Sequence, residues 1–277
     1  MKETMKKLLP ICLEAGEEIM RLYNTHVSTS FKEDDSPVTE ADTKANRIIA
    51  AGLEQLDSSI PILSEEGQHI PVDERKAWSR FWLVDPLDGT KEFLKKNDEF
   101  TVNIALIEGD YPTAGIIYAP ALDECWFAFE GNAYKLEQAS AYQGGAIDTI
   151  LERAIPLPMA ETWETVRIAA SRSHLSAETE TFISQKEKFH TVDFVSRGSS
   201  LKFCLTAEGK ADYYPRYAPT MEWDTAAGQA IVEAAGGRVE TYAAEKRMNY
   251  NKESLINDWF LVTAKSAEEK TGKQSGE

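Results

Sequence analysis

Residues 81–94 read FWLVDPLDGTKEFL. An apolar run delivers two aspartates, Asp85 and Asp88, on either side of Pro-Leu and then passes into Gly89-Thr90. Carboxylates gathered at the end of a buried strand repel one another unless a cation intervenes. Pro86 fixes one dihedral and Gly89 permits a tight bend, so both carboxylates and the Leu87 carbonyl can converge as hard oxygen ligands of the kind Mg²⁺ takes. Glu65 and Glu66 in ILSEEG also follow a short apolar stretch, and Asp224 in MEWDTAAGQA starts a helix. Asp224 and a further acid, Asp42, also have a plain structural reading: Asp42 completes a capping box with Thr39, and Asp224 stabilises a helix N-terminus. Taken together, acids at strand and helix ends around a D-x-x-D-G-T turn read as a metal site.

Elements must hold these groups in place. Met5, Leu8, Leu9, Cys12, Ile19, Met20 and Tyr23 recur at helical spacing, and a second amphipathic helix is expected from about Glu40 to Leu56, capped by Thr39. IPILS and FWLVD read as short strands followed by a loop, FTVNIALI and TAGIIYAP as a hairpin, and ECWFAFEGNAYKL as another. The pattern weakens from about Gln138 to Glu164, where Gly144, Gly145, Pro156 and Pro158 suggest a junction. Beyond it strands and helices alternate, including a helix from Ser199 to about Glu208. The expectation is an α+β lobe over 1–160, an α/β lobe over 161–264 and a polar tail over 265–277.

Composition narrows the function. With 277 residues, 42% apolar and 10% aromatic, the chain is an ordinary globular protein. Its formal net charge of -16 argues against a grip on nucleic-acid polymers, while a local cluster of cations can still hold a small anion. The 3 cysteines, Cys12, Cys125 and Cys204, lie far apart and read as reduced core thiols. Glu14, Glu17 and Glu18 interrupt the N-terminal apolar stretch, and no segment approaches the roughly 18 apolar residues of a membrane span. A cytoplasmic protein is expected, with loose attachment to the inner membrane face and the choice of monomer or homodimer left open.

The haloacid-dehalogenase phosphatases carry D-x-D-G-T, but here the aspartates are 3 apart and lie well into the chain. The closer likeness is to the lithium-sensitive, magnesium-dependent phosphatases of the inositol monophosphatase superfamily. SPVTEADTKAN, ILSEEG, WLVDPLDGTKEFL, SRSH, GSSLKFCLTAEGKADYYPR and PTMEWDTAAGQAIVEAAGG occur in that family's order over almost the whole length. Within it, DGTKEFLKKNDEFTVNIALIE and YYPRYAPTMEWDTAAG resemble the 3'(2'),5'-bisphosphate nucleotidases of CysQ type.

The resemblance implies a layered α-β-α-β-α sandwich and hydrolysis of 3'-phosphoadenosine 5'-phosphate to AMP and phosphate, in sulfur assimilation or nucleotide recycling. It implies two or three Mg²⁺ held by Glu65, Asp85, the Leu87 carbonyl, Asp88 and Asp224. Glu65 and Thr90 would position the attacking water, Asp42 would accept its proton through Thr90, and Gly89 and Thr90 would hold the phosphate. Ser171, His174, Ser199, Lys202 and Arg216 supply donors for the second phosphate and the ribose. The plain alternatives are a solvated helix charge for Lys202 and a polar cap for His174. Glu66 reads as solvated or supporting, and Glu222 as solvated. Two other functions remain open: inositol or sugar-bisphosphate hydrolysis at the same site, and a metal-binding regulatory protein without turnover.

Overall fold

The structure, a computed structural model, describes residues 2–25, 29–31, 37–143, 145–159, 164–170 and 176–267. The expected tail lies outside these residues from 268 onward. The chain begins with α1 (Lys2–Tyr23), β1 (Thr29–Phe31), β2 (Pro37–Thr39), α2 (Glu40–Asp57), β3 (Ile62–Ser64) and α3 (Val72–Lys76). It continues through β4 (Arg80–Asp88), α4 (Thr90–Lys95), β5 (Thr101–Glu108), β6 (Tyr111–Ala119), β7 (Glu124–Phe129), β8 (Asn132–Glu137), α5 (Ile147–Arg153) and β9 (Ile155–Pro156). The remainder is β10 (Val166–Ala169), α6 (Ala177–Glu187), β11 (Val192–Val195), α7 (Leu201–Ala207), β12 (Tyr213–Arg216), α8 (Glu222–Ala234), β13 (Arg238–Thr241), β14 (Lys246–Arg247) and β15 (Phe260–Thr263).

Strands β3 to β9 form a seven-stranded sheet in sequence order, antiparallel except for the β3–β4 pair. A second sheet runs β11-β10-β12-β15-β13-β14, with its first three strands parallel. Both faces of β4 are buried, and its alternation divides the residues between two cores. Trp82 and Val84 join α1 and α2 on one side, whereas Phe81 and Leu83 face a core shared with α7, α8 and residues of the second sheet such as Phe260 and Val262. A third core packs Val166, Ile168 and Tyr213 against Phe182 and Ile183 of α6. Three cores between five layers make the expected α-β-α-β-α sandwich.

The capping box expected from sequence is present: Ala41 N–H donates to Thr39 Oγ1 at 3.1 Å and Thr39 N–H to Asp42 Oδ2 at 2.7 Å. The three cysteines are free and buried. Among the described residues, no helix is long and apolar enough to cross a membrane.

One expectation is corrected. The aspartates do not lie in a loop after the strand, because β4 runs through Asp88 and the pairing register to β5 shifts between Asp85 and Asp88. Pro86 has no N–H to give the ladder, so the strand bulges there and both carboxylates stay on a rigid element. Between Gln138 and Glu164 the chain carries a 3₁₀ turn (Ala139–Tyr142), α5 and β9, pieces too short to show periodicity.

Helix α8 brings Asp224 to the site, and its height over the first sheet is set by a missing side chain. A Cβ on Gly115 would stand 2.7 Å from the Ala227 carbonyl oxygen and 2.9 Å from Ala227 Cα. No rotamer change relieves a clash with backbone. Gly115→Ala should therefore cost about 1 to 3 kcal/mol by overpacking, read by denaturant unfolding. Wild-type stability would show that α8 does not rest on β6 at this point.

Candidate active site

The site assembles from both sides of the middle layer. Asp85, buried at the β4 bulge, accepts the Leu87 N–H at Oδ1 (3.0 Å) and shares a hydrogen bond with the Glu65 side chain. Its pKa stands well above the ordinary aspartate value, first because burial disfavours the charge and then because Glu65, Asp88 and Asp224 repel it. Asp224, in the first turn of α8, accepts the Met221 N–H at Oδ2 (2.8 Å). Desolvation is the leading cause raising its pKa too, followed by the charge on Asp88.

Asp88 is held by groups the sequence reading mostly missed. Its Oδ2 accepts from Ser200 N–H at 2.7 Å and from the Ser199 and Ser200 hydroxyls at 2.5 Å each. Asn103 Nδ2 donates to Ser200 Oγ at 2.7 Å, and Thr101 Oγ1 donates to Asn103 Oδ1 at 3.0 Å. The available signal was Thr101 and Asn103 themselves, polar residues alternating along the buried strand FTVNIALI. The helix expected from Ser199 starts later, at Leu201. The cap position is Ser200, while Ser199 sits at φ 51° with its hydroxyl engaged by Asp88 and Thr101. Gly89 makes the turn into α4 at φ 92°, where an added Cβ would lie 3.2 Å from the Glu99 carbonyl.

Asp42 completes the capping box and also meets Thr90. Its Oδ2 takes Thr39, while Oδ1 accepts the Thr90 hydroxyl at 3.1 Å. Burial raises its pKa, opposed by those hydrogen bonds. Asn46, one helical turn along α2, ties down the ILSEEG turn by accepting Ser64 Oγ (2.8 Å) and donating to the Glu66 carbonyl (3.0 Å).

A cleft of about 340 Å³ has Asp88, Gly89 and Asp224 among its lining residues, together with Ser199, Lys202 and Arg216. Glu65, Asp85, Leu87, Thr90 and Asp42 do not line it, and Glu65 and Asp85 are joined to it through the mutual repulsion of the acids. Ser171 and His174 lie outside the described residues. Lys202 is a half-buried ammonium donating to the Arg197 and Ser199 carbonyls at 3.0 Å each, in place of the solvated helix charge considered above. Burial pushes its pKa down to about 8, Arg216 adding to the effect against the pull of Asp88. Glu222 is likewise no solvated side chain: it is fully buried.

Among the described residues, no group of three or more acid, imidazole or thiol side chains is arranged to hold a metal ion as it stands. The donor chemistry nonetheless fits Mg²⁺. Asp88 and Asp224 each turn only Oδ2 to the protein donors just named, leaving Oδ1 of each clear of those bonds. Burial first, and then the charge of the neighbouring acids, raises the pKa of Asp85 and Asp224, a cost that a bound cation would relieve.

A five-layer sandwich with acids converging on a bulged strand end and a helix start defines a phosphatase class, and the chain belongs to it: the model of the inositol monophosphatase family matches residues 1–275. Members of that family are metal-dependent phosphatases, generally using Mg²⁺. Among similar curated proteins is the 3'(2'),5'-bisphosphate nucleotidase CysQ of Salmonella typhimurium, 44% identical over 94% of this chain and 99% of that protein. Its namesake from Buchnera aphidicola is 42% identical over 95% of this chain and 94% of its own length. The crystal structure of CysQ from Bacteroides thetaiotaomicron superposes with a TM-score of 0.86 at 46% identity, covering 95% of this chain and 97% of that one.

Asp88→Asn tests whether that carboxylate serves a cation beyond the hydrogen bonds it accepts here. The amide oxygen can still accept from Ser199 and Ser200, so the fold should survive, but the charge facing a cation is gone. Phosphatase activity should fall by about a hundredfold or more while the melting temperature holds. Wild-type rates would mean the turn is purely structural.

Proposed function

We propose that the chain hydrolyses the 3'-phosphate of 3'-phosphoadenosine 5'-phosphate, giving AMP and phosphate, with Glu65, Asp85, the Leu87 carbonyl, Asp88 and Asp224 holding Mg²⁺. The observation that carries this reading is the polarity of a single cleft: Asp88 and Asp224 are acidic lining residues, while Lys202 and Arg216 line it as cations. A substrate with two phosphates fits that division, one phosphate reacting at the acids and the other held by the cations. The two-lobe division near residue 160 belongs to the same proposal, and it is supported by two sheets drawn from non-overlapping stretches, 62–156 and 166–263.

Bound there, Mg²⁺ supplies charge neutralisation and acidification of water. The chain's own groups supply the rest. Because the Thr90 hydroxyl donates to Asp42, its oxygen lone pairs are free to accept from the attacking water, so the proton leaves through Thr90 towards Asp42. Lys202 and Arg216 orient the phosphate that is not cleaved.

Two experiments test the reading. Phosphate release from 3'-phosphoadenosine 5'-phosphate, inositol 1-phosphate and fructose 1,6-bisphosphate, measured side by side, should favour the first and stop in chelator. Preference for either alternative, or full turnover without Mg²⁺, would sink it. Lys202 also imposes a pH limit. Its ammonium is present below about pH 8 and lost above it, so kcat/KM for the bisphosphate should fall as pH rises through that value. Lys202→Ala should abolish that step and cost about 1.5 to 3 kcal/mol on the bisphosphate, with adenosine 3'-monophosphate little affected. Equal losses on both substrates would assign Lys202 to the fold or to the scissile phosphate.

A further inference from the structure

Glu222 stands two residues before Asp224 and has no exposed surface. A buried carboxylate persists only where strong donors replace water. Here there are three: Asn251 N–H at 2.6 Å, Lys252 N–H at 3.0 Å and the Lys252 ammonium at 2.7 Å. The loop that supplies them is anchored in turn. Arg75 of α3, also buried, donates to Asn251 Oδ1 and the Lys252 carbonyl at 2.9 Å each and to the Glu253 carbonyl at 3.1 Å, while Asn251 Nδ2 returns a bond to the Arg75 carbonyl at 2.8 Å. The same loop grips the start of α8 from a second direction, Asn257 Nδ2 donating to the Met221 carbonyl at 2.7 Å and to Thr225 Oγ1 at 3.0 Å. Residues on both sides of Asp224 are thus fixed to one loop, and that loop is fixed to the stretch of chain between Glu65 and Asp85.

We propose that Glu222 is a positioning residue for the cation site. Through Lys252, Asn251 and Arg75 it sets where α8 presents Asp224 relative to Asp85 and Asp88. The inference rests on the Mg²⁺ reading given above. Glu222, Asn251, Lys252 and Arg75 do not line the cleft, so they act on the reaction through the start of α8, where Asp224 lines it. Mg²⁺ demands near-ideal octahedral geometry, which makes its affinity sensitive to a small displacement of one ligand.

The test uses the full-length Glu222→Gln and Lys252→Met variants. Gln places an amide N–H against donors that need an acceptor. Met removes the ammonium but leaves both main-chain bonds, so it remains informative should the first variant fail to fold. Mg²⁺ affinity is measured by titration calorimetry, beside melting temperature and steady-state kinetics. Folded variants should bind Mg²⁺ about 10- to 100-fold more weakly, with KM for the bisphosphate unchanged at saturating Mg²⁺. Wild-type Mg²⁺ affinity in the folded variants would overturn the proposal even if their melting temperatures drop, because a purely structural Glu222 predicts that pattern. No Mg²⁺ binding by the wild-type protein would instead bring down the cation reading, and the proposal with it.

Discussion

Repulsion among Glu65, Asp85, Asp88 and Asp224 is the constraint around which the middle of this molecule is organised. Burial, and after it the charge of their neighbours, holds the carboxyls of Asp85 and Asp224 above their ordinary pKa. The chain holds them in place with local donors: Leu87 N–H for Asp85, Ser199 and Ser200 for Asp88, Met221 N–H for Asp224. Each donor sits within a few residues of its acid or on the segment packed against it, so the acids are fixed before any cation arrives. Preorganisation of this kind leaves little rearrangement to the moment of binding.

The structural and functional readings of individual acids turn out to be compatible, because a carboxylate has two oxygens. Asp42 caps α2 with one and meets Thr90 with the other. Asp224 steadies the start of α8 with Oδ2 and keeps Oδ1 clear of that bond. A helix start suits this double duty, since its free N–H groups orient one oxygen and leave the other pointing away. The bulge in β4 is the strand counterpart: Pro86 breaks the ladder, and Asp85 and Asp88 emerge on either side of the break.

Legibility from sequence followed the range of the interactions. The capping box, the amphipathic α1 and α2 and the two hairpins rest on regular local patterns and could be read, whereas the bulge that keeps Asp85 and Asp88 within β4 could not. Glu222 could not, because its donors lie 29 and 30 residues further on in a loop with no repeating pattern. The grip of Ser200 on Asp88 spans 112 residues and rests on a left-handed bend at Ser199 that no local rule requires of serine. The short elements between Gln138 and Glu164 escaped for a different reason: seven residues of helix and two of strand do not complete enough periods to stand out.

In the proposed reading, Lys202 is the cation that a chain with a net charge of -16 offers a phosphate. A lysine on a free stem gives up several rotors when it binds, and that entropy is subtracted from affinity. Here the ammonium is already fixed, two of its three N–H donors being directed to the Arg197 and Ser199 carbonyls. In the proposed reading the third donor serves the uncleaved phosphate at little further entropic cost. Both carbonyls belong to the segment that carries Ser199 and Ser200 to Asp88, so the Lys202 ammonium and the donors that hold Asp88 share one short stretch of backbone. In the proposed reading, substrate selection and cation placement are coupled through residues 197–202 by these direct bonds.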